Sequence, residues 1–328
     1  MTRKMIIDTD TASDDAVAIM MALQTPDIEV EAITVVSGNM PVAQGSNNAR
    51  YVVELCGKTT PVYHGAEKPL MRETYHAHWF HGVDGMGGMD YKATTPPAEG
   101  NAVDVLIDTI KANPGIILVA LGPLTNVALA VGKAPEIVAN VSRCVVMGGA
   151  ANVVGNVTPA AEYNIWCDPE AARIAFRSGL PVEMVGWELC RGGANLDDDE
   201  MRYCKETINT SLAHMTIDSN FSAIEANRNW LGDPGLGLPD PVAMAIAIDP
   251  TICTKSSKHY VEVECDGTYT RGMTVVDQLG SAGRDVRNGM KSVPMWEELV
   301  NKGEPHITVC WEIDNARWKE LLYKTMQV

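Results

Sequence analysis

The sequence predicts an α/β fold: an open, mostly parallel central sheet with helices on both faces. Three observations predict it. Short apolar runs, such as Met5-Ile6-Ile7 and GIILVAL at 115–121, alternate with stretches of helical periodicity. Those runs place apolar residues at consecutive positions, as strands buried on both faces do. Several end in Asp, Asn or Gly, at the carboxyl ends of strands where open α/β sheets bind ligands.

Taken in order, residues 5–7 form the first strand, with Asp8 and Asp10 following it. Their i, i+2 spacing turns both side chains to one face while the chain is extended. Asp14 and Asp15 open a helix whose apolar positions include Ala18, Ile19, Ala22 and Leu23. Residues 29–36 read as a second strand ending in Ser37-Gly38-Asn39, and 42–56 as a helix that Gly57 could cap. Residues 66–100 show little periodicity. A segment of that length is usually functional or disordered, and its His, Trp and Gly content favours a loop that closes over something.

Residues 101–112 are helical in pattern, and 115–121 is a buried strand that Gly122–Asn126 turns into a helix. A strand at 143–150, a loop at 155–168, a helix at 169–179 and a strand at 181–187 follow. Residues from Asp197 to about Asn220 are largely helical. An irregular stretch leads to Pro239, and a helix runs from Asp240 to about Ile248. The end holds strands at 258–264, 270–276 and 306–312 and a closing helix near 314–326. No linker divides the chain. Residues 1–328 therefore read as one domain, with a mobile loop near 66–100 and a helical or irregular active-site segment near 190–240.

Composition narrows the partners. A net charge of −16 and the lack of a basic stripe argue against nucleic acid. The eight cysteines form no C-x-x-C pair and mostly sit in apolar runs, as buried reduced thiols do. No apolar run reaches the ~18 residues of a membrane span, and MTRK leads straight into a strand. The expectation is a soluble cytoplasmic protein acting on a small molecule.

The chemistry concentrates at Asp8, Asp10, Asp14 and Asp15. Two like charges ~4 Å apart cost roughly 4 kcal/mol at an effective dielectric near 20. A helix N-terminus offsets only about 0.3–1 kcal/mol per anion. A divalent cation offsets far more, and all-oxygen ligands point to Ca²⁺ or Mg²⁺. The plainer alternative is a solvated acidic turn with Asp14 as helix cap. Asn39 is a turn residue or a ligand contact, and the tight turn after Leu121 can leave a carbonyl free for a cation. Asn156, Glu162 and Asn164 suit a polyhydroxylated ligand, because each hydroxyl wants donors and acceptors. Asp240 before Pro241 reads equally well as an N-cap. His76, His78 and His81 cluster without a matching fourth zinc ligand. Trp79, Trp187 and Trp230 are packing residues or a platform for a base.

Together these pieces resemble the nucleoside hydrolase family, the inosine–uridine-preferring N-ribohydrolases. DTDTASDDAVA matches its D-T-D-x-x-x-D-D-A motif; SGN ending at Asn39, HGVDGMGG at 81–88, LGPLTN at 121–126, MGGA at 147–150 and GNVTPAAEYNIWCDPEAA at 155–172 also match. The resemblance implies a Ca²⁺ site made by Asp10, Asp15, the Leu121 carbonyl and Asp240. It implies that Asp14, Asn39, Asn156, Glu162, Asn164 and Asp240 grip ribose hydroxyls, that Asp10 takes a proton from the attacking water, and that Asp8 supports the site. It further implies hydrolysis of a ribonucleoside to ribose and base, and a homodimer or homotetramer.

The chain departs from the family at Pro239, where pyrimidine-active members carry His and purine-specific ones Trp. Trp187-Glu188 is also unusual. His81, Glu188, Glu225 or Arg228 could serve the leaving base, or it could stack on Trp79, Trp187 or Trp230. The expectation is a preference away from unactivated pyrimidine nucleosides. Competing readings are an unusual riboside as substrate, a non-catalytic nucleoside or ribose binder, and a haloacid-dehalogenase-like phosphatase, whose D-x-D-x-[TV] motif fails at Ala12.

Overall fold

The computed structural model describes residues 2–232, 234–280 and 306–328. Strand β1 (Arg3–Thr9) leads into helix α1 (Ser13–Gln24), then β2 (Ile28–Val35), α2 (Val42–Leu55) and β3 (Val62–His64). A short helix α3 (His78–His81) interrupts the long segment before α4 (Ala102–Ala112), β4 (Ile116–Ala120), α5 (Thr125–Lys133) and β5 (Val141–Met147). Next come α6 (Tyr163–Cys167), α7 (Pro169–Arg177), β6 (Val182–Val185), α8 (Asp198–Arg202), α9 (Ser211–Asp218), α10 (Phe221–Ala226) and α11 (Pro239–Ile248). The chain closes with β7 (Cys253–His259), β8 (Val261–Val263), β9 (Thr274–Val276), β10 (Ile307–Ile313) and α12 (Asn315–Met326).

Among the described residues, eight strands make one sheet in the order β3-β2-β1-β4-β5-β6-β10-β7, parallel except for β7 at the edge, and β8 and β9 form a separate antiparallel pair. The order reverses between β1 and β4. That switch point opens a crevice outside their carboxyl ends.

Strand alternation divides the core into two layers. Met5, Ile7, Ile117, Val119, Val145 and Met147 face one, and Ile6, Ile116, Leu118, Cys144 and Val146 face the other. The first layer includes α1 and α11, and the second includes α5 and α7. Every residue of α1 is buried, and so is every residue of α11 from Asp240 on. A helix enclosed on all sides needs apolar residues all round, as Ile19, Met20 and Met21 show. Each such side chain contributes roughly 1.5–3 kcal/mol by leaving water.

Several local expectations change. Residues 155–168 contain helix α6, and the stretch before Pro239 contains α10 and a π-helical turn at Asn227–Leu231. Strand β3 carries only three residues, too few for a periodicity signal. Helix α11 begins at Pro239, so Asp240 lies inside its first turn rather than at its N-cap. In α1 the carboxylate that reaches back to the Ala12 N–H is Asp15 at 2.9 Å, not Asp14. All eight cysteines are free thiols, and seven are buried. Among the described residues, no helix is long and apolar enough to cross a membrane.

One side chain joins the sheet to α11. Arg143 on β5 donates to both carboxylate oxygens of Glu183 on β6, at 2.6 and 2.7 Å, and to the Ile246 and Ala247 carbonyls at 3.0 Å. It thus satisfies the C-terminal carbonyls of the helix that carries Asp240. Arg143→Met should cost about 2–4 kcal/mol, because it strands a mostly buried carboxylate and two carbonyls. Urea unfolding measures this, and a change below ~0.5 kcal/mol would show the link to be dispensable.

Candidate active site

The crevice between β1 and β4 is where the acidic residues meet. Asp8, the last-but-one residue of β1, accepts from the Thr34 hydroxyl at 2.6 Å and from the Asn126 amide at 2.8 Å. Asp10 accepts a short bond from the Asn39 N–H through Oδ2, and its Oδ1 has no partner. Asp15 accepts from the Thr9 hydroxyl and the Ala12 N–H. Carboxylate oxygens of Asp14, Asp15 and Asp240 all lie within 4.8 Å of one another, the one metal-competent cluster of acidic, His or Cys groups among the described residues.

Burial dominates the electrostatics. It pushes the Asp8 and Asp15 carboxyls up to about 7, with the Asp14 charge adding to the effect at Asp15. Asp10 and Asp240 are raised well above the carboxylate range, first by burial and then by the Asp15 charge. Buried like charges so close together are held at a cost that a cation removes. The unpartnered buried oxygens, Asp10 Oδ1 and Asp14 Oδ1, are acceptors only when the carboxyls are ionised, the form a cation favours. An all-oxygen donor set of this kind fits a hard divalent cation.

The backbone is shaped to this cluster. A Cβ on Gly38 would stand 2.1 Å from Asp10 Oδ2 and 2.6 Å from Pro123 Cδ, and one on Gly122 would stand 2.9 Å from Asp10 Oδ1. Both turns approach Asp10 more closely than any side chain allows. The Leu121 carbonyl takes no backbone partner and accepts from Asn164 Nδ2 at 2.6 Å.

Above the cluster sits a cavity whose lining includes Asp14, Asn39, His81, Leu121, Asn156, Glu162, Asn164 and Asp240, all singled out in the sequence. Asp10 and Asp15 lie fully buried beside them. Glu162 is the N-cap of α6: it accepts from Asn164 N at 2.8 Å, Gly149 N at 3.0 Å and Ile165 N at 3.3 Å, and burial lifts it to about 7. Asn156 Oδ1 accepts from Tyr163 N at 2.9 Å, which leaves its NH₂ unclaimed, and Asn164 Oδ1 has no partner. Donors and acceptors are thus presented together, as a polyol requires.

Of the leaving-group candidates, only some reach the cavity. His81 lines it, with Nδ1 2.9 Å from the Ser13 hydroxyl and 3.8 Å from Asp14; burial lowers its pKa against the pull of Asp14. Trp79 and Trp187 line it too, and Trp230 stacks on Trp79 with ring centroids 5.4 Å apart. Glu188 turns its carboxylate to the Ala151 N–H, and Arg228 pairs with Asp198, so neither lines the cavity, nor does Glu225. The three histidines do not converge: His76 Nδ1 meets the Gly38 carbonyl at 2.8 Å while His81 faces Ser13. The sequence reading missed Asn220, Ala223 and Asn227, which present one helical face to the cavity. Their i, i+3, i+7 spacing was the available signal.

Comparison with known proteins identifies the family. The family model described as inosine-uridine preferring nucleoside hydrolase matches residues 5–320. The pyrimidine-specific ribonucleoside hydrolase RihA of Salmonella agona is 36% identical over 332 residues, covering 100% of this chain and 99% of that protein. Among solved structures, the plant nucleoside hydrolase PpNRh1 superposes with a TM-score of 0.88 at 30% identity, covering 100% of both chains. The purine-preferring ribonucleoside hydrolase from Gardnerella vaginalis gives 0.85 at 30% identity, over 99% of this chain and 98% of that one. A phosphatase of the haloacid-dehalogenase type is thereby set aside. With the family model matching residues 5–320 and a relative 36% identical over the whole length, the chain belongs to the inosine-uridine preferring nucleoside hydrolase family.

Proposed function

We propose that the protein hydrolyses the N-glycosidic bond of ribonucleosides, giving ribose and free base, in a Ca²⁺-dependent reaction. The observation that carries this reading is the set of unpartnered buried oxygens of Asp10 and Asp14 below a cavity whose wall presents Asn39, Asn156, Glu162 and Asn164. Asp10, Asp15, the Leu121 carbonyl and Asp240 would hold the cation, with Asp14 close enough to share it. When bound, the cation acidifies and orients a water.

The chain's own groups supply the rest. Asp10 Oδ1 accepts the proton of the attacking water, while the Asn39 N–H fixes its other oxygen. Asp14, Asn39, Asn156, Glu162, Asn164 and Asp240 position the ribose hydroxyls, which holds C1′ in line for attack and steadies an oxocarbenium-like transition state. His81 and the Trp79 and Trp187 rings bound the remaining wall, where the base would lie. A histidine kept neutral by burial is a hydrogen-bonding group rather than a strong acid. Base release thus relies on bases that leave readily, so inosine should be hydrolysed faster than uridine. The family resemblance also suggests a homodimer or homotetramer, which sedimentation velocity reads directly.

Release of reducing sugar from inosine, guanosine, adenosine, cytidine and uridine, with Ca²⁺ and with a chelator, tests the reading. Chelator-sensitive release is expected. Release indifferent to the chelator would remove the cation from the mechanism, and uridine outpacing inosine would overturn the base preference. Binding of nucleoside without turnover by cation-loaded protein would favour the binder, and failure to bind or cleave any of the five an unusual riboside. Gly38→Ala should lower kcat/KM by about 100-fold or more, since its Cβ displaces the Asp10 carboxylate.

Stability should also follow pH. Asp8, Asp15 and Glu162 hold their protons up to about 7 in the fold. Raised values of this kind contribute stability fully present below the unfolded values near ~4 and lost as pH rises through about 7. His64 and His81, both lowered by burial, act in the opposite sense, but Asp10 and Asp240, also raised by burial, add to the three carboxyls. In chelator, Tm should therefore fall from about pH 5 to about pH 8, and Ca²⁺ should restore more of it at the higher pH. Differential scanning calorimetry that finds a flat or rising Tm in chelator would contradict this account.

A further inference from the structure

A second cleft, of about 390 Å³, lies outside the catalytic cavity and shares none of its lining residues. Three parts of the chain build it: Arg72 from the 66–100 segment, Thr158 and Trp166 from the 155–168 segment, and the turn between β8 and β9 with Tyr269 and Arg271. The Arg271 guanidinium lies over the Trp166 ring, with Cζ 4.0 Å from its centroid, and Tyr75 packs against the same ring at 5.5 Å. Such stacking fixes the plane of the guanidinium and leaves its N–H edge free.

Donors outnumber acceptors there. Among the described residues, the Arg271 guanidinium makes no hydrogen bond or ion pair, while its backbone N–H donates to the Gly267 carbonyl at 3.0 Å. Partial burial, and then the nearby Arg72 charge, lower its pKa against the pull of Cys167, Tyr75 and Glu170. Arg72 itself is neutralised by Glu170 and donates to the Cys265 carbonyl at 2.7 Å. The Thr158 oxygen accepts from Ala160 N and Ala161 N at 3.3 and 3.0 Å, so its hydroxyl hydrogen remains to be given. The N–H groups of Thr268 and Tyr269 meet no backbone acceptor. Among the described residues one carboxylate lines the cleft, that of Asp266, and it is exposed at the rim. In a chain of net charge −16, a donor-rich recess with an unpaired guanidinium is an unusual local reversal.

We propose that this cleft binds the phosphate group of a small ligand, held by the Arg271 guanidinium edge, the Thr158 hydroxyl and the N–H groups of Thr268 and Tyr269. A bidentate guanidinium–phosphate contact is the strongest of these. The bound anion braces both segments that carry catalytic-cavity residues. On one side of 155–168, Asn156, Glu162 and Asn164 line the cavity, while Thr158 and Trp166 line the cleft. The two segments already touch where the Tyr163 hydroxyl donates to the Tyr75 carbonyl at 2.7 Å.

The test is isothermal titration of the intact, metal-loaded protein with inorganic phosphate in one arm and ribose 5-phosphate in the other. Saturable binding is expected in at least one arm, and comparison of the arms separates a free-phosphate site from a sugar-phosphate site. Arg271→Gln should weaken it about tenfold or more, equivalent to ~1.4 kcal/mol. Thr158→Val, which keeps shape and removes the hydroxyl, gives a second reading should the first variant fold poorly. Saturating anion should lower the nucleoside KM about fivefold in the natural protein and not in Arg271→Gln, whose activity without anion stays unchanged. No binding of either anion up to ~10 mM, weaker than any useful phosphate contact, overturns the proposal. Binding equally tight in both variants also overturns it, by placing the anion elsewhere. An unmoved KM removes the bracing. Because titration needs no turnover, the binding outcomes are separate from the fate of the hydrolysis reading, on which only the KM arm rests.

Discussion

Everything at the switch point answers to the burial of several carboxylates in one place. Asp10, Asp15 and Asp240 are withdrawn from water and sit within each other's fields, with Asp14 at their side. Among the described residues, no lysine or arginine shares the cavity wall. An arrangement that raises every resolved carboxyl pKa persists only where rigid surroundings over-determine it and where an added positive charge is part of the working state.

The scaffold meets that demand with hydrogen bonds aimed at the carboxylates and with missing side chains. Asp8, two residues before Asp10, is tied to Thr34 on β2 and to Asn126 on α5. The other end of the Asn126 amide accepts the Ala66 N–H at 2.8 Å. The Ala66 carbonyl in turn takes the Ser37 N–H at 2.9 Å, one residue from Gly38. The loop that aims Asn39 at Asp10 is therefore braced from β1, β2 and α5 at once. Gly38 and Gly122 let that loop and the β4 turn close to within contact of Asp10. Charge placement and backbone approach are two sides of the same constraint.

The long segments supply the rest of the cavity. Residues 66–100 are anchored at several points: Ala77 N donates to the Asn39 carbonyl at 3.0 Å, Asn48 holds the Asp84 carbonyl at 2.9 Å, and Met86 is fully buried. Helices α9 and α10 bring Asn220 and Ala223 against the same space that Trp79 and His81 bound. The base end of the cavity is thus assembled from parts of the chain about 140 residues apart in order, where local pattern carries little information.

What the sequence by itself determined follows from short-range physics. The alternation of apolar runs and helical periods specified a parallel α/β sheet, because strands covered on both faces must be apolar throughout. The packing of Asp8, Asp10, Asp14 and Asp15 into eight residues marked the cation-like chemistry, since like charges that dense need a reason. Tertiary structure decided the rest. It brought Asp240, more than 200 residues later, to within 4.8 Å of Asp14 and Asp15. It gave the reach-back to Ala12 to Asp15, and moved the start of α11 to Pro239. It turned Glu188 and Arg228 away from the cavity while admitting Asn220 and Asn227. Those outcomes depend on which helix packs on which face of the sheet, a long-range choice that no window of neighbouring residues contains.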